Sequence, residues 1–382
     1  MKRIIIFAVL FFCIFSINVN AQTFEFDLKE DSDLYSQIYS DFGVDDITDK
    51  TPEEAKEFLD YFSVTPENPF SFSDLFSKDG AEKFIDYIKN KLTSPIISFS
   101  VLIFLIIVCA LANSITANTL ETKYSMNMIC SLTCITAIML PVSALISQSV
   151  KLVGTISVFM TAFIPVFAGI LIGCIKSATA VSYSSLMFFT CESVSAFCSS
   201  IVLPFSNCFL ALSVTSSLGD NDKIGGIVNA LKKCAFIVLT AAMAVFLAVL
   251  SIQGAVNSVA DNAATKTTKF FISSFVPIIG PSISEALGSL RGCISLLKSS
   301  VGIYVIIVIA IMVLPVIFQI LIYKLFLVLS GDIAQMFSVC QIKRVCDSVN
   351  SALSIILAVV LCVALMFVFS ITIISVLGGN GA

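Results

Sequence analysis

The chain has 382 residues, of which 57% are hydrophobic and only 13% are charged, and its mean hydropathy is +1.00. Soluble domains carry about 25% charged residues, so this composition excludes an ordinary water-soluble protein and makes lipid the expected solvent. The chain contains no histidine, which removes the usual general base and imidazole metal ligand. Because no catalytic motif occurs either, we expect a protein without catalytic activity, cofactor or metal site.

Charge is distributed unevenly along the chain. Residues 22–94 contain 18 acidic and 7 basic side chains, whereas residues 95–382 contain 8 acidic and 13 basic ones. An acidic segment exposed to water is therefore expected to precede a mildly basic membrane body. The net charge of −4 gives no reason to expect nucleic-acid binding. The thirteen cysteines include no CxxC pair, and those within apolar runs are expected to act as small hydrophobic side chains.

Residues 1–21 are typical of a secretory signal peptide. Lys2 and Arg3 precede an apolar core, and Val19-Asn20-Ala21 forms a cleavage site with a small residue two positions before alanine. Cleavage would leave the acidic segment outside the cytoplasm. The alternative is an uncleaved membrane anchor over Ile4–Val19.

The acidic segment, residues 22–94, is predicted to be a small helical region. Thr51-Pro52-Glu53-Glu54 has the composition of a capping box that starts a helix. A segment of about seventy residues rarely forms a stable core alone, so Phe70, Phe72 and Phe76 predict docking on the membrane body or on a partner. A partly ordered acidic linker is the alternative.

Residues 95–382 are predicted to form an all-α polytopic membrane domain with about six to eight transmembrane or re-entrant helices. A membrane helix needs about 20 apolar residues. Six segments meet this requirement, namely Ile96–Ala117, Met128–Val150, Ser199–Leu218, Cys234–Val256, Val301–Tyr323 and Leu353–Leu377.

Two further apolar stretches, Leu152–Cys174 and Phe270–Leu290, are expected to be broken or re-entrant helices. Pro165 and Gly169 interrupt the first stretch, and Pro277 and Gly280 interrupt the second. Proline removes a backbone donor and kinks a helix, which hydrocarbon tolerates only where protein or water satisfies the freed groups. Basic residues flank the predicted spans on both sides, so the charge pattern leaves the orientation open.

An internal repeat is also predicted, with units at about residues 128–233 and 234–344. Four motifs recur in order at spacings of 111 or 112 residues: Pro165 and Pro277, Leu203-Pro204 and Leu314-Pro315, Gly219-Asp220 and Gly331-Asp332, and Lys232-Lys233 and Lys343-Arg344. Repeats that contain broken helices are common in transporters and permeases.

The most informative polar residues begin where a strongly apolar helix gives way to polar sequence. The residues proposed to form a polar pathway or packing site are Gln253, Asn257, Asp261, Lys266, Lys269, Glu285 and Glu192. Asn257 and Asp261 are four residues apart and share a helix face. Charged groups at membrane depth are costly and usually mark an aqueous path or a pairing site. For Lys266 and Lys269, an ordinary solvated loop is an equal alternative.

The same region resembles the stage III sporulation protein AE family of endospore-forming bacteria. The resemblance rests on Ser251-Ile252-Gln253-Gly254, Asp261, Thr268-Lys269-Phe270, Phe275-Val276-Pro277-Ile278-Ile279-Gly280 and Tyr323-Lys324-Leu325. It implies an integral protein of the mother-cell-derived membrane that surrounds the forespore. With the other proteins of the stage III sporulation A operon and a forespore membrane partner, such a protein would form a channel-like, secretion-related complex. That complex would sustain forespore development and late forespore gene expression.

Two rival functions stay open at this point. The first is a stand-alone secondary transporter of a small substrate, with its site between the two broken stretches. The second is a non-conducting scaffold that recruits the true channel, in which residues 22–94 would matter and the polar residues would not.

Overall fold

The computed structural model describes residues 39–61, 64–66, 78–116, 120–174, 176–218, 222–275, 280–337 and 339–377. Every regular element in these ranges is helical. The helices are α1 (Asp45–Lys50), α2 (Glu53–Tyr61), α3 (Lys78–Thr116), α4 (Leu120–Gly173), α5 (Ser177–Phe197), α6 (Leu203–Leu218), α7 (Asp222–Phe275), α8 (Gly280–Met336) and α9 (Cys340–Leu377), with a π-helical turn (Cys198–Val202) between α5 and α6. The predicted signal peptide and the predicted docking residues Phe70, Phe72 and Phe76 lie outside the described residues.

Six helical segments in the described ranges are long and apolar enough to cross a membrane. They are Pro95–Ala112, Met128–Gly173, Ser177–Leu212, Gly226–Asp261, Ile294–Met336 and Gln341–Ser375. The predicted class, an all-α polytopic membrane protein, is confirmed.

Helices α8 and α9 form a long antiparallel hairpin. At one end, a Cβ at Gly302 would lie 3.1 Å from the Ser375 hydroxyl, and at the other, a Cβ at Gly331 would lie 3.3 Å from Cys346 Cβ. The two glycines therefore let the helices approach closely at both ends. Each helix advances 29 residues between these contacts, which is about 44 Å at 1.5 Å per residue.

Helix α4 packs along this hairpin and runs without interruption from Leu120 to Gly173. The prediction that Pro165 and Gly169 break the chain into a re-entrant segment is therefore wrong. Phe163, Ile164 and Phe167 are completely buried on one face of the same turns, whereas Pro165 lies on the exposed face. Because the neighbouring helices pack against the buried face, the proline is accommodated inside a continuous helix.

The next transmembrane segment begins earlier than the predicted Ser199, at Ser177. The five-residue π-helical turn joins α5 to α6, and the Leu203 N–H donates to the Cys198 carbonyl, five residues back. Pro204 follows immediately and has no N–H to donate. A π-helical turn next to a proline is one way in which a helix continues past a missing hydrogen bond.

The second predicted interruption falls between two helices. Helix α7 ends at Phe275 and α8 begins at Gly280, while Pro277 lies outside the described residues. The positions paired in the predicted repeat occupy unlike places, since Leu203 starts α6 and Leu314 lies inside α8. The internal repeat stays a prediction.

Residues 39–61 and 64–66 dock on one end of the helical body. A Cβ at Gly173 of α4 would lie 2.7 Å from the Phe42 ring, so this aromatic ring sits directly on the glycine. The Thr51 hydroxyl hydrogen-bonds to the Tyr304 hydroxyl of α8 at 3.1 Å and donates to the Ile47 carbonyl at 2.8 Å. Helix α2 begins at Glu53, within the predicted capping box. The Thr51 side chain connects this helix to α8 of the membrane body.

Candidate functional site

The polar stripe predicted on α7 faces the first turns of α5. The Ala178 and Thr179 N–H groups donate to the two carboxylate oxygens of Asp261 at 3.0 and 3.1 Å, and the Thr179 hydroxyl also donates to Asp261. One turn away, the Ser182 hydroxyl donates to Asn257 Oδ1 at 3.3 Å. The spacing of Asn257 and Asp261 therefore does place them on one face, and that face is a contact between two helices.

Asp261 completes a helix end that has no cap of its own. Lys176, the residue before α5, makes no capping hydrogen bond with its side chain. The first N–H groups of a helix have no partner within the helix, and they carry the positive end of its dipole. The Asp261 carboxylate supplies both the acceptors and the negative charge, although it comes from a helix 82 residues further along the chain. Asp261 is only 2% exposed. Its carboxylate holds the start of α5 against α7, and we call this connection the joint between the two helices.

Two lysines lie beside this joint. Burial lowers the pKa of the Lys176 ammonium, and the nearby Cys174 and Asp261 charges oppose that shift. The Lys298 ammonium interacts electrostatically with the side chains of Lys176 and Cys174. Lys298 is 2% exposed, and its Nζ has no hydrogen-bond partner among the described residues. We call Cys174, Lys176, Thr179, Asp261 and Lys298 the Asp261 junction.

The Asp261 junction lies at the end of the body that carries the docked segment. The Gly173 position that contacts Phe42 also lies within 3.4 Å of Ile294 on α8, and Ile294 is one helical turn from Lys298. Residues 39–61 and 64–66 therefore pack next to the elements that hold the two lysines.

The other predicted site residues do not join this cluster. Gln253 is half-buried one turn before Asn257, and Lys266 and Glu192 are exposed. The side chains of Lys269 and Glu285 lie outside the described residues, as does Pro277. A Cβ at Gly169 would lie 3.5 Å from the Phe42 ring, an ordinary contact distance, so Gly169 lies beside the docked segment but a larger residue would also fit there.

A second group of lysines, at the other end of the α8–α9 hairpin, was missed by the sequence reasoning. Lys324 of α8 donates to the Asn350 carbonyl at 3.2 Å and to the Ser354 hydroxyl of α9. Lys232 of α7 donates to the Ser351 hydroxyl at 3.2 Å. We call Lys232, Lys324, Asn350, Ser351 and Ser354 the lysine cluster. Its signal in the sequence was a lysine inside the apolar run Ile320–Leu327, which is costly unless the lysine has partners.

Within the described residues, no three cysteine or carboxylate side chains are grouped so that they could hold a metal ion. The arrangement is instead one of helix joints, in which buried polar groups fix how long apolar helices meet. Such an all-helical, polytopic body with an acidic segment docked on one end defines an integral membrane protein.

Comparison with known proteins places this membrane protein in a family. The family model of stage III sporulation protein AE matches residues 59–378, and the chain belongs to that family. It is similar to the stage III sporulation protein AE of Bacillus subtilis (strain 168), with 27% identity over 234 residues. That match covers 61% of this chain and 58% of the relative. No solved structure matches the chain. The family assigns the chain a role in sporulation.

Proposed function

We propose that this protein is the membrane-embedded component of a channel-like, secretion-related complex between the mother cell and the forespore. It would lie in the mother-cell-derived membrane around the forespore and support forespore development and late forespore gene expression. Its partners would be the other proteins of the stage III sporulation A operon and a partner protein in the forespore membrane. The family membership supports the setting, and the dimensions of the helices support the assembly.

The observation that carries the proposal is the length of the apolar helices. Helix α4 contacts α8 at Gly173 and Ile294, and far along the helix the Ser131 hydroxyl donates to Gln341 at the start of α9. The 42 residues from Ser131 to Gly173 rise about 63 Å. A bilayer has about 30 Å of hydrocarbon. Even at a tilt of about 40°, the upper end of the usual range, the helix would still rise about 48 Å.

Apolar side chains are exposed at both ends of this length. Ile172 is 54% exposed near one end, and Ile129 is 59% exposed near the other. The exposed apolar residues near the second end form what we call the distal apolar surface: Ile97, Phe104, Leu111 and Ile115 of α3, and Ile129 and Leu132 of α4. Lipid cannot cover both ends at once, and in our proposal other protein chains cover one of them. This feature favours a subunit of a larger complex over a stand-alone protein.

The charges at the two ends favour one orientation. Exposed acidic residues lie on the docked segment, namely Asp41, Asp45, Asp49, Glu53 and Asp60. Basic residues lie at both ends. Those of the docked end (Lys50, Lys56, Lys176, Lys266 and Lys298) are balanced by these acidic residues, whereas Lys232, Lys233, Lys324, Lys343 and Arg344 at the opposite end outnumber Asp332 and Asp347. Cytoplasmic ends of membrane helices carry the excess of lysine and arginine. In our proposal, the docked segment therefore faces the space between the two membranes, where partners could reach it.

In vivo photocrosslinking tests this proposal. A photoreactive amino acid at Phe104 or Leu111, on the distal apolar surface, is expected to give adducts with other proteins of the operon in sporulating cells. The matched control is Val245 of α7, which is 63% exposed in the other half of the molecule and is expected to contact lipid. Adducts with lipid alone at all three positions would contradict the proposal.

A stand-alone secondary transporter is the second candidate function. The observation that favours it is the buried Lys298 ammonium, which has no hydrogen-bond partner in the described part of the chain, since such a group at membrane depth could bind a proton or an anionic substrate. Substrate or ion uptake by vesicles that contain only the purified protein would support this candidate. Uptake that is lost in Lys298→Met, together with protein-free crosslinks at Leu111, would replace our proposal with it.

A further inference from the structure

An apolar groove opens on the side of the helical body, between the π-helical turn, α7 and α9. Its volume is about 170 Å³, and its lining is apolar, including Ile201, Phe205, Leu231, Phe236, Ile355 and Ala358. Apolar cavities of about 150 Å³ stay dry and accept hydrocarbon ligands. The groove is therefore suited to a hydrocarbon chain, and it contains no polar side chain that would favour water.

The π-helical turn shapes one wall of this groove. Ile201 and Val202 belong to the turn, and Phe205 follows it on α6. A π-helical turn widens a helix locally and changes the direction of the next side chains, and such turns are frequent at functional sites. Here the turn carries the chain past Pro204 and leaves space against α7.

One end of the groove is bounded by cations. Lys232 and Lys233 are contiguous with Leu231 and Cys234, which line the groove. Lys232 donates to Ser351, and Ser351 is one turn of α9 before Ile355, another lining residue. Lys324 of α8 donates to the same part of α9, at Asn350 and Ser354, and interacts electrostatically with Lys232. The groove therefore runs into the membrane from the lysine cluster.

These cations have no acidic counterpart in the described part of the chain. Lys232 and Lys324 donate to hydroxyl and carbonyl oxygens only, and Lys233 is exposed. The ion pair in that region, between Lys343 and Asp332 at 3.0 Å, involves neither of them. A lysine ammonium has three donors, so Lys232 keeps two beyond its bond to Ser351. The mouth of the groove thus carries uncompensated positive charge next to an apolar slot.

From this juxtaposition we propose that the groove is a binding site for an anionic phospholipid. One acyl chain lies in the groove against the π-helical turn, and the lipid phosphate lies between Lys232 and Lys233. Basic pockets between transmembrane helices bind anionic headgroups, and the charge at the mouth selects the phospholipid over a second protein helix. This inference requires only that the chain lies in a membrane, so it is independent of the proposed channel function.

Fluorescence quenching by brominated lipids tests this proposal, because the chain has no tryptophan. Phe236→Trp places a reporter in the groove, one turn from Lys232, and Val245→Trp places a control on the exposed, lipid-facing side of the same helix. The full chain is reconstituted in phosphatidylcholine that contains a fixed fraction of phosphatidylglycerol. Bromine is placed on the acyl chains of one lipid or the other.

We expect brominated phosphatidylglycerol to bind near the groove reporter at least about fivefold more strongly than brominated phosphatidylcholine, from the attraction of each lysine for an anionic headgroup. Lys232→Gln combined with Lys233→Gln should remove this preference, and the Val245→Trp control should show none. In a separate variant, Ala358→Leu fills the groove and should lower quenching by both lipids. Equal quenching by the two lipids at the groove reporter, a preference that survives loss of both lysines, or no quenching there would each overturn the proposal.

Discussion

Helix α8 carries a buried lysine near one end of its apolar run and a half-buried lysine toward the other, and the two lysines are held in different ways. Lys298, at the end that carries the docked segment, is 2% exposed and has no hydrogen-bond partner among the described residues. Lys324, 26 residues later, donates to the Asn350 carbonyl and to the Ser354 hydroxyl. The same residue type on the same helix is therefore unsatisfied at one end and satisfied at the other.

The reason for this difference lies in what Asp261 does. Asp261 is the buried acidic residue of the Asp261 junction in the described structure, and its oxygens accept from Ala178 and Thr179 at the start of α5. The carboxylate joins α5 to α7, and it makes no hydrogen bond to Lys298. At the other end, backbone and hydroxyl oxygens of α9 are free to accept from Lys324. One end of the helical body is thus stabilised by a helix cap, and the other is stabilised by hydrogen bonds from a lysine ammonium.

The largest expected effect is that of removing Asp261. Asp261→Ala would leave the half-buried Ala178 N–H and the buried Thr179 N–H and hydroxyl without this acceptor, and it would remove the charge that faces the start of α5. We expect the free energy of unfolding to fall by about 3–5 kcal/mol. Circular dichroism during SDS titration in mixed micelles would measure this loss. Glu192→Ala, at an exposed carboxylate, is the control and should change stability by less than about 0.5 kcal/mol. A similar small change for both variants would refute the role of Asp261 as a joint.

The lysine cluster gives the next largest effect. Lys324→Met keeps the length of the side chain but removes the ammonium, which leaves the Asn350 carbonyl and the Ser354 hydroxyl without their donor. Hydrogen bonds to charged groups contribute about 1.5–3 kcal/mol each. Removing the ammonium also removes its desolvation cost, which offsets part of the loss of two bonds, so we expect a net loss of about 2 kcal/mol in the same unfolding assay. A neutral result would show that Lys324 is no better held than Lys298 and would remove the contrast between the two ends.

The opposite sign is expected for the same substitution at Lys298. Lys298→Met replaces a buried donor that has no partner within the described ranges by an apolar chain of similar length. Leaving such a donor unsatisfied costs about 1–3 kcal/mol. We therefore expect stability to rise by about 1 kcal/mol, measured as above. Sporulation efficiency should be assayed in parallel, because loss of function in a stabilised variant would assign Lys298 a functional role. A loss of stability would mean that Lys298 has a partner outside the described residues.

Part of this architecture followed from the sequence. Uninterrupted apolar runs are sufficient to predict spanning helices, and the four-residue spacing of Asn257 and Asp261 was sufficient to place both on one face. Pro165 misled the prediction because whether a proline breaks a helix depends on packing by other helices, here on Phe163 and Phe167. That packing is set by tertiary contacts, which a local pattern does not contain.

The two lysines of α8 also show that a local sequence pattern does not contain tertiary contacts. Lys298 stands at the edge of an apolar run and Lys324 lies inside one, and neither position shows in the sequence which acceptors the ammonium meets. Which acceptors face each ammonium depends on the register of α8 against α9 and α4, and that register is fixed by close contacts such as Gly302 with Ser375. The sequence could indicate that charges enter the membrane body, but not which of them would find partners.

A smaller effect is expected where the acidic segment docks. Gly173→Ala adds a methyl group 2.7 Å from the end of the Phe42 ring, whereas Gly169→Ala, one turn earlier, adds one at an ordinary contact distance of 3.5 Å. We expect Gly173→Ala to weaken docking by about 1 kcal/mol and Gly169→Ala to leave it unchanged. Hydrogen exchange of residues 39–61 would report the difference. If both variants exchange like the parent protein, Phe42 does not anchor the segment.

The smallest effect is expected at the hydrogen bond between Thr51 and Tyr304. Thr51→Val and Tyr304→Phe each remove one hydroxyl while keeping the shape of the side chain, so a double-mutant cycle isolates the pair. We expect a coupling energy of about 0.5–1 kcal/mol, read from the hydrogen exchange of residues 39–61. The same cycle repeated in Asp261→Asn would then connect this docking contact to the Asp261 junction. Because Tyr304 lies on α8 less than two turns beyond Lys298, a coupling energy that falls in Asp261→Asn would show that docking and the joint form one unit. A coupling energy that is unchanged would show that the segment docks on a surface independent of the joint, and the contrast between the two ends of α8 would then concern the lysines alone.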